Sequence, residues 1–191
     1  MLLDEPFSNL DVEMRERLSI EVRDILKSQD TTTIMVTHDQ NEAFTFADEI
    51  GVMMDGGIAQ WATSYALYHE PVNREIAEFI GRGVFLPGIV LDGNRIKLEL
   101  GEVQADTPVH AAPGAVVDVL LRPDDILHDD ASTMQATVIT KAFRGAEFVY
   151  TLELPGGGRV MSLVPSHHNH AIGEKIGIRL EMDHLVAFPR T

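Results

Sequence analysis

The 191 residues carry 15 Lys and Arg against 30 Asp and Glu, a formal net charge of −15, so there is no cationic surface of the kind that grips a phosphate backbone. A hydrophobic share of 45% and a charged share of 24% exclude wholesale disorder, and the length suffices for one large domain or two small ones. No cysteine is present, which removes disulfide frameworks, thiolate metal sites and cysteine nucleophiles.

Met1–Leu3 reads as the tail of an apolar strand. Asp11 can cap a helix over 12–28, with Met14, Leu18, Val22 and Ile25 at helical spacing and Glu13, Arg17, Glu21 and Arg23 off that stripe. Thr31 to Val36 is β-branched and apolar, the composition of a buried strand. Asp39 and Glu42 have capping-box spacing for a short helix over 40–47. Ile50–Met54 and Ile58–Trp61 flank Asp55-Gly56-Gly57, a hairpin signal. Pro71 opens a further helix with Ile76, Phe79 and Ile80 on one face and Gly81 at its end. Met35, Met53 and Met54 are expected in the core.

The character changes near residue 83, after a Gly- and Pro-containing linker over 81–88. Strands are expected at 88–91, 95–100, 116–121, 134–140, 147–154, 159–164, 174–182 and 184–188, a pattern for a small barrel or sandwich. The expected organisation is therefore an α/β segment over 1–82 and an all-β domain over 83–191. The first segment holds 6 basic and 16 acidic side chains, the second 9 and 14, so neither is a nucleic-acid footprint. No run reaches the roughly 18 apolar residues of a membrane span, and the first residues lack the basic region of a signal peptide. The expectation is a soluble, intracellular chain.

Chemistry concentrates at two strand ends. Asp4 and Glu5 place adjacent carboxylates after an apolar strand, where a metal-bound nucleotide would use them: one in a Mg²⁺ shell, the other orienting or deprotonating water. An ordinary acidic strand-to-helix turn is the alternative. Val36-Thr37-His38-Asp39 brings an imidazole to the end of a second strand, as a phosphate contact or a local hydrogen-bonding residue. In open α/β sheets the carboxyl edge is where ligands bind. His167-His168-Asn169-His170 reads as a polar turn or, less favoured, a metal or anion site. Arg122 and Arg144 read as surface arginines or as the lining of an interface or anion site.

LLDEPFSNLD followed by MVTHDQNEAFTFAD resembles the second half of an ATP-binding cassette (ABC) ATPase. The resemblance implies that Asp4 serves Mg²⁺, that Glu5 activates water and that His38 senses the γ-phosphate of ATP. It also implies that Ser8-Asn9-Leu10-Asp11 is a D-loop crossing a homodimer interface, with Asp11 coupling the two copies. Residues 83–191, with Leu121-Arg122-Pro123-Asp124-Asp125-Ile126, resemble the accessory TOBE domain, and the finer likeness is to ferric-iron importer ATPases. That family works on the cytoplasmic face of the membrane, beneath permease subunits fed by a substrate-binding protein. The chain departs from the family pattern in having no G-x-x-x-x-G-K-[ST] segment: Gly51/Gly56, Gly83/Gly88 and Gly88/Gly93 have the first spacing, and none is followed by lysine. The expectation is a C-terminal portion that neither binds ATP tightly nor hydrolyses it alone. A non-catalytic regulatory or dimerisation module, binding a small anion or a partner through the β domain, is the competing reading.

Overall fold

A computed structural model of the chain describes residues 1–105, 109 and 111–190. It separates into two compact units, Met1–Val72 and Asn73 onward. The division lies ten residues ahead of the expected boundary between 82 and 83, because the last short helix packs with the β-rich unit.

The first unit runs β1 (Leu2–Asp4), α1 (Val12–Ser28), β2 (Ile34–Val36), α2 (Gln40–Phe46), β3 (Ile50–Met54), β4 (Gly57–Ala62) and α3 (Ser64–His69). β1 and β2 pair in parallel, Leu2 with Ile34, Leu3 with Met35 and Asp4 with Val36. One face of this ribbon is covered: Leu3 and Met35 pack on a cluster of Phe7, Leu26 and Phe46. The other face is bare, with Leu2 81% and Ile34 62% exposed. The strand expected over 31–36 is thus shorter and more exposed than its composition implies, since only one neighbour strand pairs with it.

On α1 the inward row is Leu18, Val22 and Leu26, with Ser19 also buried. Ile25, expected on the inward stripe, is exposed, because Leu26 rather than Ile25 continues the four-residue step from Leu18 and Val22. Asp55 (φ 50°) and Gly56 (φ 78°) form the two-residue turn between β3 and β4, both left-handed as a type I′ hairpin requires. Met53, expected inside, is exposed. The helix α3 has a sequence signal only in its cap, Thr63, whose hydroxyl accepts from the Ala66 N–H.

The second unit contains α4 (Arg74–Ile80), β5 (Val84–Val90), β6 (Arg95–Leu98), β7 (Gly101–Gln104), β8 (Val116–Leu121), β9 (Ile126–His128), β10 (Gln135–Phe143), β11 (Glu147–Glu153), β12 (Arg159–Pro165), β13 (Lys175–Leu180) and β14 (Ala187–Pro189). Asn73, not Pro71, caps α4, and Ile76, Ala77 and Ile80 are its buried residues while Phe79 is half exposed. Two antiparallel five-stranded sheets, ordered β12-β11-β10-β13-β9 and β14-β8-β5-β6-β7, share one core that includes Leu86, Val119, Val138, Tyr150 and Val164. Alternate residues of β12 (Val160, Ser162, Val164) point inward, and Ser162 donates to the Ile126 carbonyl while Leu163 N–H donates to Pro123. These bonds tie β12 to the segment of β9, so the first sheet curls into an almost closed barrel, which leaves few free edges.

Arg122, read from sequence as a surface or interface arginine, is 3% exposed. Its Nη1 donates to the carbonyls of Ala77 (3.1 Å) and Gly81 (2.8 Å). The guanidinium therefore satisfies carbonyls at the end of α4 that lack helical partners, and its positive charge suits the helix C-terminus. Asp125 closes the same turn by accepting the Arg122 N–H at 2.6 Å. Burial, aided by the Asp124 and Asp183 charges, outweighs that bond and the Arg122 charge, and pushes the Asp125 carboxyl up to about 6.

A folded-state value above the unfolded one means the contribution of Asp125 to stability is complete at about pH 4 and lost as pH rises through about 6. Denaturant titrations at pH 5 and pH 7.5 are expected to show a component of about 1 kcal/mol with this sign. In Asp125→Asn, whose side-chain oxygen still accepts the Arg122 N–H, that component should disappear; an unchanged pH dependence would exclude it.

Candidate active site

The parallel pairing sets Asp4 at the last position of β1 opposite Val36, so the residues that follow each strand emerge at one edge. Glu5 N–H donates to the Val36 carbonyl at 2.8 Å, which extends the ladder by one bond. The backbone of Glu5 then turns into the left-handed region, φ 44°, an unfavourable conformation for a side chain with a Cβ. It is held there from both sides, since its carbonyl accepts the N–H and the hydroxyl of Ser8, at 3.3 and 3.1 Å. Such strained residues cost about 1–3 kcal/mol and concentrate at functional sites.

Glu5 Oε1 lies 3.0 Å from His38 Nδ1. An ionised carboxylate only accepts, so Nδ1 carries the proton in this bond. Both side chains are well exposed, 47% and 75%, and Asp4 is exposed beside them. Among the described residues, Asp4, Glu5 and His38 do not converge on a three-ligand metal cage. The open arrangement fits Mg²⁺, which keeps water and phosphate oxygens and takes only one or two protein carboxylates.

Asp11 caps α1, with Oδ1 accepting the Met14 N–H at 2.9 Å. Ser8 is tied to Glu5, whereas Asp11 is engaged with its own helix.

The loop that carries His38 is braced from α1. Arg15 Nη1 meets Asp39 Oδ2 at 2.6 Å, its Nε is 3.3 Å from Glu42 Oε1, and its Nη2 donates to the Leu10 carbonyl at 3.1 Å. Asp39 Oδ1 accepts the N–H groups of Asn41 and Glu42 at the start of α2. The expected capping box is modified: the buried Glu42 carboxylate accepts from the Thr37 hydroxyl at 2.6 Å instead of reaching back to the Asp39 N–H, which donates to Thr37 Oγ1. Partial burial opposes the charge on Asp39, but the backbone N–H groups of Glu42 and Asn41 and the Arg15 guanidinium prevail and hold its carboxyl below the ordinary range. Arg15 was legible in sequence only as a helix residue; its pairing crosses 24 positions.

In the second unit His168 and His170, from the polar turn, gather with His128 at the end of β9. His128 was not singled out in the sequence, because a three-residue strand leaves no periodic signal.

Residues 119–188 match the TOBE domain family. The Fe(3+) ions import ATP-binding protein FbpC 2 of Pectobacterium atrosepticum is 40% identical over 81% of this chain and 44% of its own length. FbpC 1 of Rhodococcus jostii is 38% identical over 99% of this chain and 55% of its own. The chain is thus similar to part of an ABC ATP-binding subunit and carries a TOBE-family segment over 119–188. The spermidine/putrescine import ATP-binding protein PotA of Aliivibrio fischeri is 36% identical over 93% of this chain and 52% of its own length. The chain spans about half the length of the curated ABC subunits it matches. Among the described residues, no helix is long and apolar enough to cross a membrane.

Arg15→Ala is expected to destabilise the first unit by about 2–4 kcal/mol, because Glu42 is left buried without its cation. Glu42→Gln in the same chain should recover part of the loss in a double-mutant cycle followed by denaturation. Additive effects would exclude the coupling.

Proposed function

We propose that the first unit is the hydrolysis edge of an ABC importer ATPase, with Glu5 as general base, His38 as the γ-phosphate contact and Asp4 in the Mg²⁺ shell. The 3.0 Å contact between Glu5 and His38 at the end of a parallel strand pair carries this reading. Bound Mg²⁺ would neutralise charge on the phosphates of ATP. Glu5 supplies an acceptor for the proton of an attacking water, and it is pre-positioned because its backbone is pinned by Val36 and Ser8. His38 orients that carboxylate through Nδ1, and with a second proton on Nε2 it would donate to a phosphate oxygen. A carboxylate retains acceptor capacity after binding one imidazole, so the two roles are compatible.

Further support comes from the bare apolar face formed by Leu2, Ile34 and Val36. Strands of parallel sheets are ordinarily covered on both faces and flanked by further strands, so this ribbon fits within a wider doubly wound sheet. In that setting Ser8 and Asp11 form the segment that meets a second copy across a homodimer. The working assembly would lie on the cytoplasmic face of a membrane, bound to permease subunits that receive cargo from a substrate-binding protein. Ferric iron is the favoured cargo, supported by the names of the FbpC relatives; a polyamine is the alternative, from PotA.

In an ATPase carrying this segment together with a P-loop, Glu5→Gln is expected to lower turnover about 10²–10⁴-fold while ATP binding persists. Near-normal hydrolysis in a single-turnover assay would reject Glu5 as the base. The 191-residue chain contains no P-loop lysine, and positioning with charge neutralisation supplies most of the catalysis in phosphoryl transfer. The isolated chain is therefore expected to show no magnesium-dependent phosphate release above background; robust turnover would overturn this.

A further inference from the structure

His128, His168 and His170 each offer one ring nitrogen, and the three atoms lie within 4.8 Å of one another. The His128 side chain is 6% exposed and that of His170 18%. Nε2 of both rings is buried without a hydrogen-bond partner. A buried orphan on a polar side chain is costly and points to an unseen ligand such as water or an ion. Two such orphans beside a third imidazole form a donor set.

The surroundings are organised for that set. Glu174 Oε1 accepts from His170 Nδ1 at 2.8 Å, and Glu174 Oε2 accepts the Ala171 N–H at 2.7 Å. The carboxylate thereby fixes the tautomer of His170 with its lone pair on Nε2, as outer-shell carboxylates do for metal-binding histidines. Tyr150, fully buried, donates its hydroxyl to the His168 carbonyl at 2.7 Å and accepts the His170 N–H at 3.0 Å. Lys141 Nζ bonds Asn169 Oδ1 and the His170 carbonyl, each at 2.7 Å. The turn is thus held at several points. On the other side, Gly177 permits the approach of β9: a Cβ there would stand 2.1 Å from the Asp129 carbonyl. Asp130 Oδ1 lies 3.1 Å from His128 Nε2 without making a hydrogen bond, and its side chain is 80% exposed.

We propose that His128, His168 and His170 form a binding site for a divalent transition cation of the Zn²⁺ class, with Asp130 as the fourth ligand. Imidazole nitrogens with a carboxylate suit Zn²⁺ and its neighbours rather than Mg²⁺ or Ca²⁺. A closed tetrahedral site has ligand atoms roughly 3.3 Å apart at the usual Zn–N length, so binding draws the rings together by about an ångström. Rotation of the partly exposed His168 ring supplies this movement. The neighbouring carboxylates Asp130 and Glu174 favour a cation over an oxyanion. The site is independent of the nucleotide reading, since all of its residues lie in the β-rich unit.

The test uses the untagged 191-residue chain, stripped with a chelator and titrated with Zn²⁺ by calorimetry and with Co²⁺ by visible absorption. The expected result is one equivalent bound, with the intense visible bands of four-coordinate Co²⁺ and a raised Tm. Because His128 is buried, His168→Ala is the decisive variant. It and His170→Ala should each weaken binding at least about tenfold, and Glu174→Gln about 10–100-fold through the outer shell. The exposed His167→Ala should bind as the parent does, with circular dichroism confirming the fold of each variant. No saturable binding by folded protein, or binding unaltered in both His168→Ala and His170→Ala, would overturn the proposal. Binding of inorganic phosphate at the same histidines in place of Zn²⁺ would overturn it as well.

Discussion

The register of one short parallel ladder governs the candidate active site. Leu2, Leu3 and Asp4 stand opposite Ile34, Met35 and Val36, and the bond from Glu5 N–H to the Val36 carbonyl carries the pairing past the strand. A slip of one residue would invert which side chains face the cluster of Phe7, Leu26 and Phe46, because strand side chains alternate with period two. It would also separate Glu5 from His38. The apolar residues on the covered face therefore specify the chemistry at the strand ends without touching it.

One arginine organises each unit by related physics. Arg15 gathers Asp39, Glu42 and the Leu10 carbonyl, and so fixes the turn that presents His38. Arg122 gathers the carbonyls at the end of α4, and so joins a short helix to the barrel. Guanidinium suits both tasks because its planar array of donors serves several acceptors at once and keeps its charge when buried. The two resulting carboxyl environments differ in sign. Hydrogen bonds and a cation lower Asp39, whereas burial among other acids raises Asp125.

Much of the architecture was legible because it is local. The cap of α1 at Asp11, the turn at Asp55-Gly56 and the strands expected over 147–154 and 159–164 each depend on neighbours a few positions apart. The elements that escaped notice are short: α3 has six residues and β9 three, too few for a period to emerge. Ile25 was placed inside on helical spacing and Met53 on residue type, yet both are exposed, since a helix stripe or a hairpin face buries only what another element covers. Arg122 was misjudged for the opposite reason, as its acceptors lie more than 40 positions away.

Sequence alone determined the residue types at the two strand ends, the separation of an α/β segment from a β-rich one, and the absence of a P-loop lysine. These follow from order and spacing along the chain. Tertiary structure alone decided that Glu5 and His38 meet, that Arg15 braces their turn, and that His128 joins His168 and His170. Each of those contacts spans at least two dozen residues, and only the closing of sheets and the packing of α1 bring such distant groups within reach.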